Sequence, residues 1–243
     1  MNFPMKPPMW APGIRQGHPL AVRLEGFWPM WEGSGDRVMD VSPNGHHGTM
    51  HNMDSGNWGA APFGPQLDFD GANEFIDCGS PNALRGGLLS GCTISVLANY
   101  DNPGDALYPL VASCAAGAAH GYYLAVYQDD LRMQWSDAAA YARAHTSNKI
   151  ATDEWLLLTG TYDGNEIELY VNGLQQSLAL ELAGSGAPTW ADSVTIGARD
   201  SGAADWWDGQ IGAAWIHSRA LSAGEIAELA YDPWGLITPR RLF

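Results

Sequence analysis

The sequence predicts an all-β protein: a two-sheet antiparallel sandwich with one short C-terminal helix and an extended arm at each end. Three observations predict it. Short apolar runs recur along the chain, and 29 glycines and 15 prolines in 243 residues punctuate them. The stretch EWLLLTGTYDGNEIELYVNGLQQSLAL holds two hairpin turns, Asp163-Gly164 and Asn172-Gly173, between three strand-like runs. One segment alone, LSAGEIAELAYD, carries a helical period with a start and a stop.

The elements follow in order. Residues 1–20 read as an extended arm, because Pro4, Pro7, Pro8, Pro12 and Pro19 exclude helix and interrupt a sheet ladder. GFWPMW is apolar and aromatic. QLDFDG and EFIDCG alternate on either side of a turn at Gly71-Ala72-Asn73. CTISVLANY is a strand ended by DNPGD. GYYLAVYQDDLRMQW is two strands joined at Asp129-Asp130. In the run after Asn165, Ile167, Leu169 and Val171 face one way; Glu166, Glu168 and Tyr170 face the other. That predicts one core face and one wet face. WWDGQIGAAWIHSRAL closes the sandwich. Ser222 and Glu225 form a capping box for a helix near Ser222–Tyr231, and Pro233 stops it. The expected organisation is an arm over 1–20, a sandwich over 21–231 and an extended tail over 232–243.

The two tails carry large apolar groups that a solvated end rarely carries. Phe3, Met9, Trp10, Trp234, Ile237 and Phe243, with Arg240 and Arg241, are therefore the candidate partner-binding residues. If they are attachment elements, removing either tail should leave the melting temperature of the sandwich near unchanged.

Charge narrows the partners. The net charge is −15, so nucleic acid and an anionic membrane surface are not expected. No apolar run approaches a membrane span. The first twenty residues contain no apolar signal-peptide core, so no secretory leader is expected. Cys78, Cys92 and Cys114 are odd in number and lie in strand-like runs; they read as buried reduced thiols.

The stretch DVSPNGHHGTM, Asp40 to Met50, is the one metal-like motif. His46 and His47 are neighbours, so in an extended chain their side chains diverge, and zinc fits poorly. Asp40, Ser42 and Asn44 place oxygens on alternate residues before Gly45, like the opening of a calcium loop. The twelfth position, however, is His51 rather than a bidentate Glu. Two readings stay open: a structural calcium held by Asp40 and Asn44, or an ion-free Asx turn. No other cofactor is required.

Several of these stretches occur in an order that resembles a known family. LEGFWPMWEGSGDRVMDVSPNGHHGTMHN, PQLDFDGANEFIDCG, CTISVLANY, the WLLLTGTYDGNEIELYVNG meander, DSVTIGA and WDGQIGAAWIHSRALSAGEIAEL together resemble the laminin-G-like, concanavalin A-like jelly roll of the lectin/glucanase superfamily. The resemblance covers about Leu24 to Tyr231. GHPLAVRLEGFW after a Pro-rich arm, and the close AYDPWGLITPRR, resemble versions encoded by tailed bacteriophages and prophages. It implies a jelly-roll fold and a virion component, such as a capsid decoration protein, repeated within an assembly and touching capsid or tail proteins. It also implies a structural calcium near Asp40–Gly48. The acid that members often carry in the penultimate strand is missing from Gly209-Gln210-Ile211-Gly212-Ala213, and Asp208, Asp77 or backbone carbonyls would have to substitute.

The glucanases of that superfamily use an E-x-D-x-x-E strand, which this chain lacks. Glu166 and Glu168 share a face with no third acid, so no catalytic residue is assigned and no enzyme is expected. The alternative to a structural virion role is a lectin-like module that binds host or surface glycans. Trp206-Trp207 and Tyr122-Tyr123 would each expose one ring for that purpose.

Overall fold

A computed structural model describes residues 3–6, 12–85, 91–101, 104–114, 121–136, 141–182 and 193–239. Two antiparallel sheets face each other. Sheet I has nine strands in the order Leu178–Leu182, Tyr141–Thr146, Asp130–Ser136, Gly121–Tyr127, Leu107–Ser113, Thr195–Ile196, Phe75–Asp77, Gly48–His51 and Arg37–Val38. Sheet II runs Leu174–Gln175, Ile167–Val171, Trp155–Tyr162, Cys92–Tyr100, Asp208–His217, Gly64–Asp70 and Trp58–Ala61. Leu24–Trp28 pairs with the distal half of Asp208–His217, Phe27 lying opposite Trp215. The sandwich and its jelly-roll class are as the sequence predicts.

The main core lies between the sheets. Ile94, Val96, Leu124, Met133, Trp135 and Trp207 are fully buried there. A second apolar cluster covers the far side of sheet II. It contains Phe27, Phe63, Leu97, Leu157, Tyr170, Trp215, Ile226 and Leu229. Leu156, Leu157 and Leu158 are therefore all buried, since this strand has no wet face. Each fully buried leucine contributes roughly 1.5–3 kcal/mol.

This corrects one expectation. Tyr170 was expected on a wet face, but only 1% of it is exposed. The helix Ala223–Tyr231 packs over this side and buries Ile226, Leu229 and Ala230. It begins at the predicted box: Ser222 Oγ accepts from the Glu225 amide, and Glu225 Oε2 accepts from the Ser222 amide. The Asn172-Gly173 turn has positive φ at both residues, which suits a two-residue hairpin. Gly173 also sits so close that an added Cβ would lie 2.9 Å from Ala230 Cβ. The turn thus needs glycine twice over, for conformation and for space.

The ends also depart from expectation. Pro12–Ile14 pairs with Ile237–Pro239, so arm and tail form one small ladder. Trp234, Leu236 and Ile237 are at most 4% exposed and belong to the second cluster. The proposed tail is thus part of the fold up to residue 239. The arm docks beside it. Phe3 packs edge-on against Phe63, and Trp234 Nε1 donates to Pro4 O at 2.7 Å. Lys6 Nζ donates to Met30 O at 3.1 Å, to Gly212 O at 2.8 Å and to Pro65 O. The rings of Phe63 and Trp234 flank the same ammonium at 5.3 and 5.4 Å. Burial pulls Lys6 down to about 7, and the Glu32 carboxylate opposes that shift.

Candidate functional site

The Asp40 loop is a closed hydrogen-bonded turn. Asp40 Oδ1 accepts from the amides of Phe27 and Ser42, each at 2.8 Å. Asp40 Oδ2 accepts from the His46 amide at 2.7 Å and from Ser42 Oγ at 2.8 Å. Four donors occupy a carboxylate that can take about four. Asn44 turns its amide to Glu25, donating to the carbonyl at 3.1 Å and to Oε2 at 3.0 Å. His47 Nδ1 accepts from the Asp40 amide, while His46 presents only its backbone to Asp40. These residues do not fit a calcium site, because both Asp40 oxygens already accept protein N–H and O–H groups and the Asn44 side chain is held by Glu25. The suggested substitutes do not repair it. Asp77 accepts from the Gly79 amide, and Asp208 lines a separate cleft with Asp68, Asp70, Glu74 and Asp101. Among the described residues no cluster of His, Cys, Asp and Glu is arranged to hold a metal. Adding calcium to chelator-treated protein is therefore expected to leave Tm within about 1 °C, whereas Asp40→Ala should cost about 2–3 kcal/mol by stranding buried donors. A clear calcium-dependent rise in Tm, lost in Asp40→Ala, would reinstate the metal.

The cysteines are buried and form no disulfide with one another, and burial raises the Cys78 and Cys92 thiols. They act as small core residues. Glu168 accepts from Tyr170 Oη at 2.7 Å and from Gln175 Nε2 at 3.0 Å, and Glu166 is exposed. The two do not converge on a common partner. Of the expected partner-binding residues, Phe3, Trp234 and Ile237 pack within this chain. Trp234 and Ile237 are buried and so offer a partner no surface, whereas Phe3 stays half-buried. Met9, Trp10, Arg240, Arg241 and Phe243 lie outside the described residues.

A different surface gathers polar and aromatic groups: the outer face of sheet I. In Asp130–Ser136 the core takes Leu131, Met133 and Trp135, which turns Asp130, Arg132 and Gln134 outward. In Tyr141–Thr146 the core takes Ala142 and Ala144, which turns Arg143 and His145 outward. Register then fixes the pairs: Arg132 opposite His145, and Gln134 opposite Arg143. Tyr123 lies opposite Gln134 on the other side and donates to its Oε1 at 3.1 Å. The hairpin Ala198–Arg199 with Ala204–Trp206 brings Arg199, which is ion-paired with Asp205. Burial raises the Tyr123 hydroxyl, and Arg132, Arg143 and Arg199 are close enough to oppose that shift. Three guanidiniums thus surround one buried tyrosine.

One ring of the Tyr122-Tyr123 pair was expected to be exposed, but Tyr122 is fully buried and Tyr123 is only 4% exposed. It packs with Ala112, Cys114 and Ala125 in a small outer cluster. Trp206, half-buried, fits the expected exposed partner of buried Trp207. Nearby, Asp130 holds both His145 at 3.3 Å and Lys149 at 3.2 Å. Sequence reasoning missed this patch. The signal was present in DLRMQW, where Arg132 and Gln134 alternate with the core residues.

Residues 70–227 match a laminin G-type family of the concanavalin A-like lectin/glucanases superfamily. The chain belongs to this family. A search of curated protein sequences finds no match. Solved structures share the fold at low identity. Domain 4 of the extracellular arabinanase AbnA from Geobacillus stearothermophilus, in complex with arabinotriose, matches at TM-score 0.62 and 17% identity, over 86% of this chain and 98% of that domain. Trypanosoma rangeli sialidase matches at TM-score 0.59 and 15% identity, over 87% of this chain and 33% of that one. Botulinum neurotoxin type C, whose cell entry depends on two ganglioside molecules, matches at TM-score 0.62 and 13% identity, over 87% of this chain and 51% of that one. Against the last two, this chain spans about a third and about half of the larger one.

Proposed function

We propose that this protein is a non-catalytic glycan-binding module whose ligand lies on the outer face of sheet I. One observation carries the reading: that face concentrates hydrogen-bonding side chains next to an aromatic ring, at Tyr127, Arg132, Gln134, Arg143 and His145. Sugars need this combination, since hydroxyls take hydrogen bonds while the ring face stacks on an aromatic. The arabinanase domain that this chain spans almost end to end was solved with a bound oligosaccharide, which supports a sugar site on a sandwich of this size. No hydrolysis is expected, because no paired carboxylates occupy that face.

A glycan array probed with the full chain tests the reading. Saturable binding of at least one glycan is expected, with Tyr127→Ala and Gln134→Ala each weakening it by about tenfold, the scale of one lost stacking or hydrogen-bonding contact. Binding of no glycan, or binding unchanged in both variants, would remove the reading.

Display on a virion is a separate proposal, and one observation favours it. The ladder of Pro12–Ile14 with Ile237–Pro239 lies with the second cluster, on the far side of sheet II. Attachment through chain ends near that ladder would leave the outer face of sheet I pointing away from the particle. Co-purification with intact particles checks it; consistent absence from them would end it.

A further inference from the structure

We infer that the ligand of the sheet I face carries an oxyanion, a carboxylate or sulfate on the sugar, and that Arg132 is its principal contact. The inference rests on the glycan-binding reading above and narrows it. The decisive group is Arg132. Its guanidinium lies over the Tyr127 ring at 4.1 Å and makes no hydrogen bond or ion pair among the described residues. Its Nε is shielded from solvent and without a partner. An N–H taken from water ordinarily has an acceptor, and in Arg132 the Nε–H is so taken. Acceptors are abundant in this chain: 27 acidic residues stand against 12 lysines and arginines. Yet the carboxylates on this face are directed elsewhere. Asp130 binds His145 and Lys149, and Asp205 binds Arg199.

Arg132 is therefore held in place by a ring and not by an anion. The cation–π contact fixes the guanidinium without using its N–H donors. Arg143 stands one strand over, beyond Gln134, and Arg199 approaches the same tyrosine from the hairpin. Lys149 and Arg199 are taken by Asp130 and Asp205, and Asp105 and Asp129 also lie beside Lys149, which leaves Arg132 as a guanidinium on this face with no carboxylate of its own among the described residues. A planar oxyanion matches the guanidinium fork with two parallel hydrogen bonds. Gln134, half-buried, keeps one amide N–H beside it for the sugar's own hydroxyls, beyond the one it gives to Ser136 Oγ. The acidic remainder of the surface would repel an anionic glycan elsewhere and so focus it here.

The test is a set of matched pairs bound to the full chain: a sialylated glycan and its asialo form, an oligouronate and its methyl ester, a sulfated glycan and its unsulfated form. At least one anionic member is expected to bind about 10- to 100-fold more tightly than its neutral partner, the scale of a charge-assisted hydrogen bond. The pair that discriminates identifies carboxylate or sulfate. Arg132→Gln should abolish the difference at unchanged Tm, and Arg132→Lys should restore only part of it, because an ammonium lacks the fork. Affinity for the anionic member should fall with added salt. Equal binding of both members of every pair, or a preference that survives in Arg132→Gln, would overturn the inference while leaving glycan binding intact. If no glycan binds at all, the reading beneath it fails, and the inference falls with it.

Discussion

Trp234→Ala is expected to destabilise the protein by about 3–5 kcal/mol, the cost of removing a large buried aromatic. For a chain of this size that corresponds to a fall in Tm of roughly 10 °C. Trp234 is 4% exposed and lies 5.9 Å from Trp215 and 6.1 Å from Phe63, ring to ring. Its Nε1 holds the arm through Pro4 O, and its ring flanks the Lys6 ammonium. The variant therefore opens a cavity, frees residues 3–6 and removes one wall of a buried cation's cage. Truncation before Asp232 should cost more, since it also removes Leu236 and Ile237. This reverses the effect expected from the sequence, where the tail read as dispensable to the sandwich. Urea unfolding checks it: a loss below about 1 kcal/mol for Trp234→Ala would mean that the tail is only loosely docked.

The contrast shows which features were legible. The Asn172-Gly173 turn, the Ser222–Glu225 box and the alternation in Asp130–Ser136 are local, so the chemistry that specifies them lies within a few residues. They were readable, and with them the sandwich. Covering is not local. Alternation at Ile167–Val171 says that one face is core, but nothing in those five residues says that a helix from 223–231 lies over Tyr170. The same limit hid the burial of Trp234, whose neighbours Trp215 and Phe63 are distant in sequence. The Asp40 motif misled for a related reason. Alternating oxygens look the same whether they face an ion or the amides of Phe27, Ser42 and His46. Arg132 was unreadable because its significance is a missing partner, which only the packed structure reveals.

Stability is expected to fall by about 3 kcal/mol between pH 6.5 and pH 4 on account of one residue, His217. It is fully buried in the strand Asp208–His217, opposite Leu24 and Thr93. Its Nε2 pairs with Leu20 O at 2.8 Å, which makes Nε2 the donor of a neutral ring, and its Nδ1 has no partner. Burial lowers its pKa to about 4; the Leu20 carbonyl and Glu225 oppose the shift, and Arg219 adds to it. The unfolded chain therefore binds a proton below about pH 6.5 that the folded chain refuses until about pH 4. Stability is complete above that window, declines through it and is level beneath it. Each unit of difference is worth about 1.4 kcal/mol, which gives the total above. Neighbouring acids do not mimic this. The Arg219 and Ser222 contacts hold Glu225 down to about 2, so its contribution is lost from about pH 4.5 downward and overlaps only the end of this window. Glu32, Glu74 and Asp101 are raised by burial, so they take up protons in the folded state first and oppose the decline. The measurement is urea unfolding at half-unit steps from pH 8 to pH 4, with His217→Gln alongside. The glutamine keeps a donor for Leu20 O and cannot titrate. The variant is expected to be less stable at pH 8 but nearly flat across the window, so the slopes and not the absolute values decide. Equal slopes in the two proteins would show that the proton is taken up elsewhere, and that His217 is neutral in both states across this range.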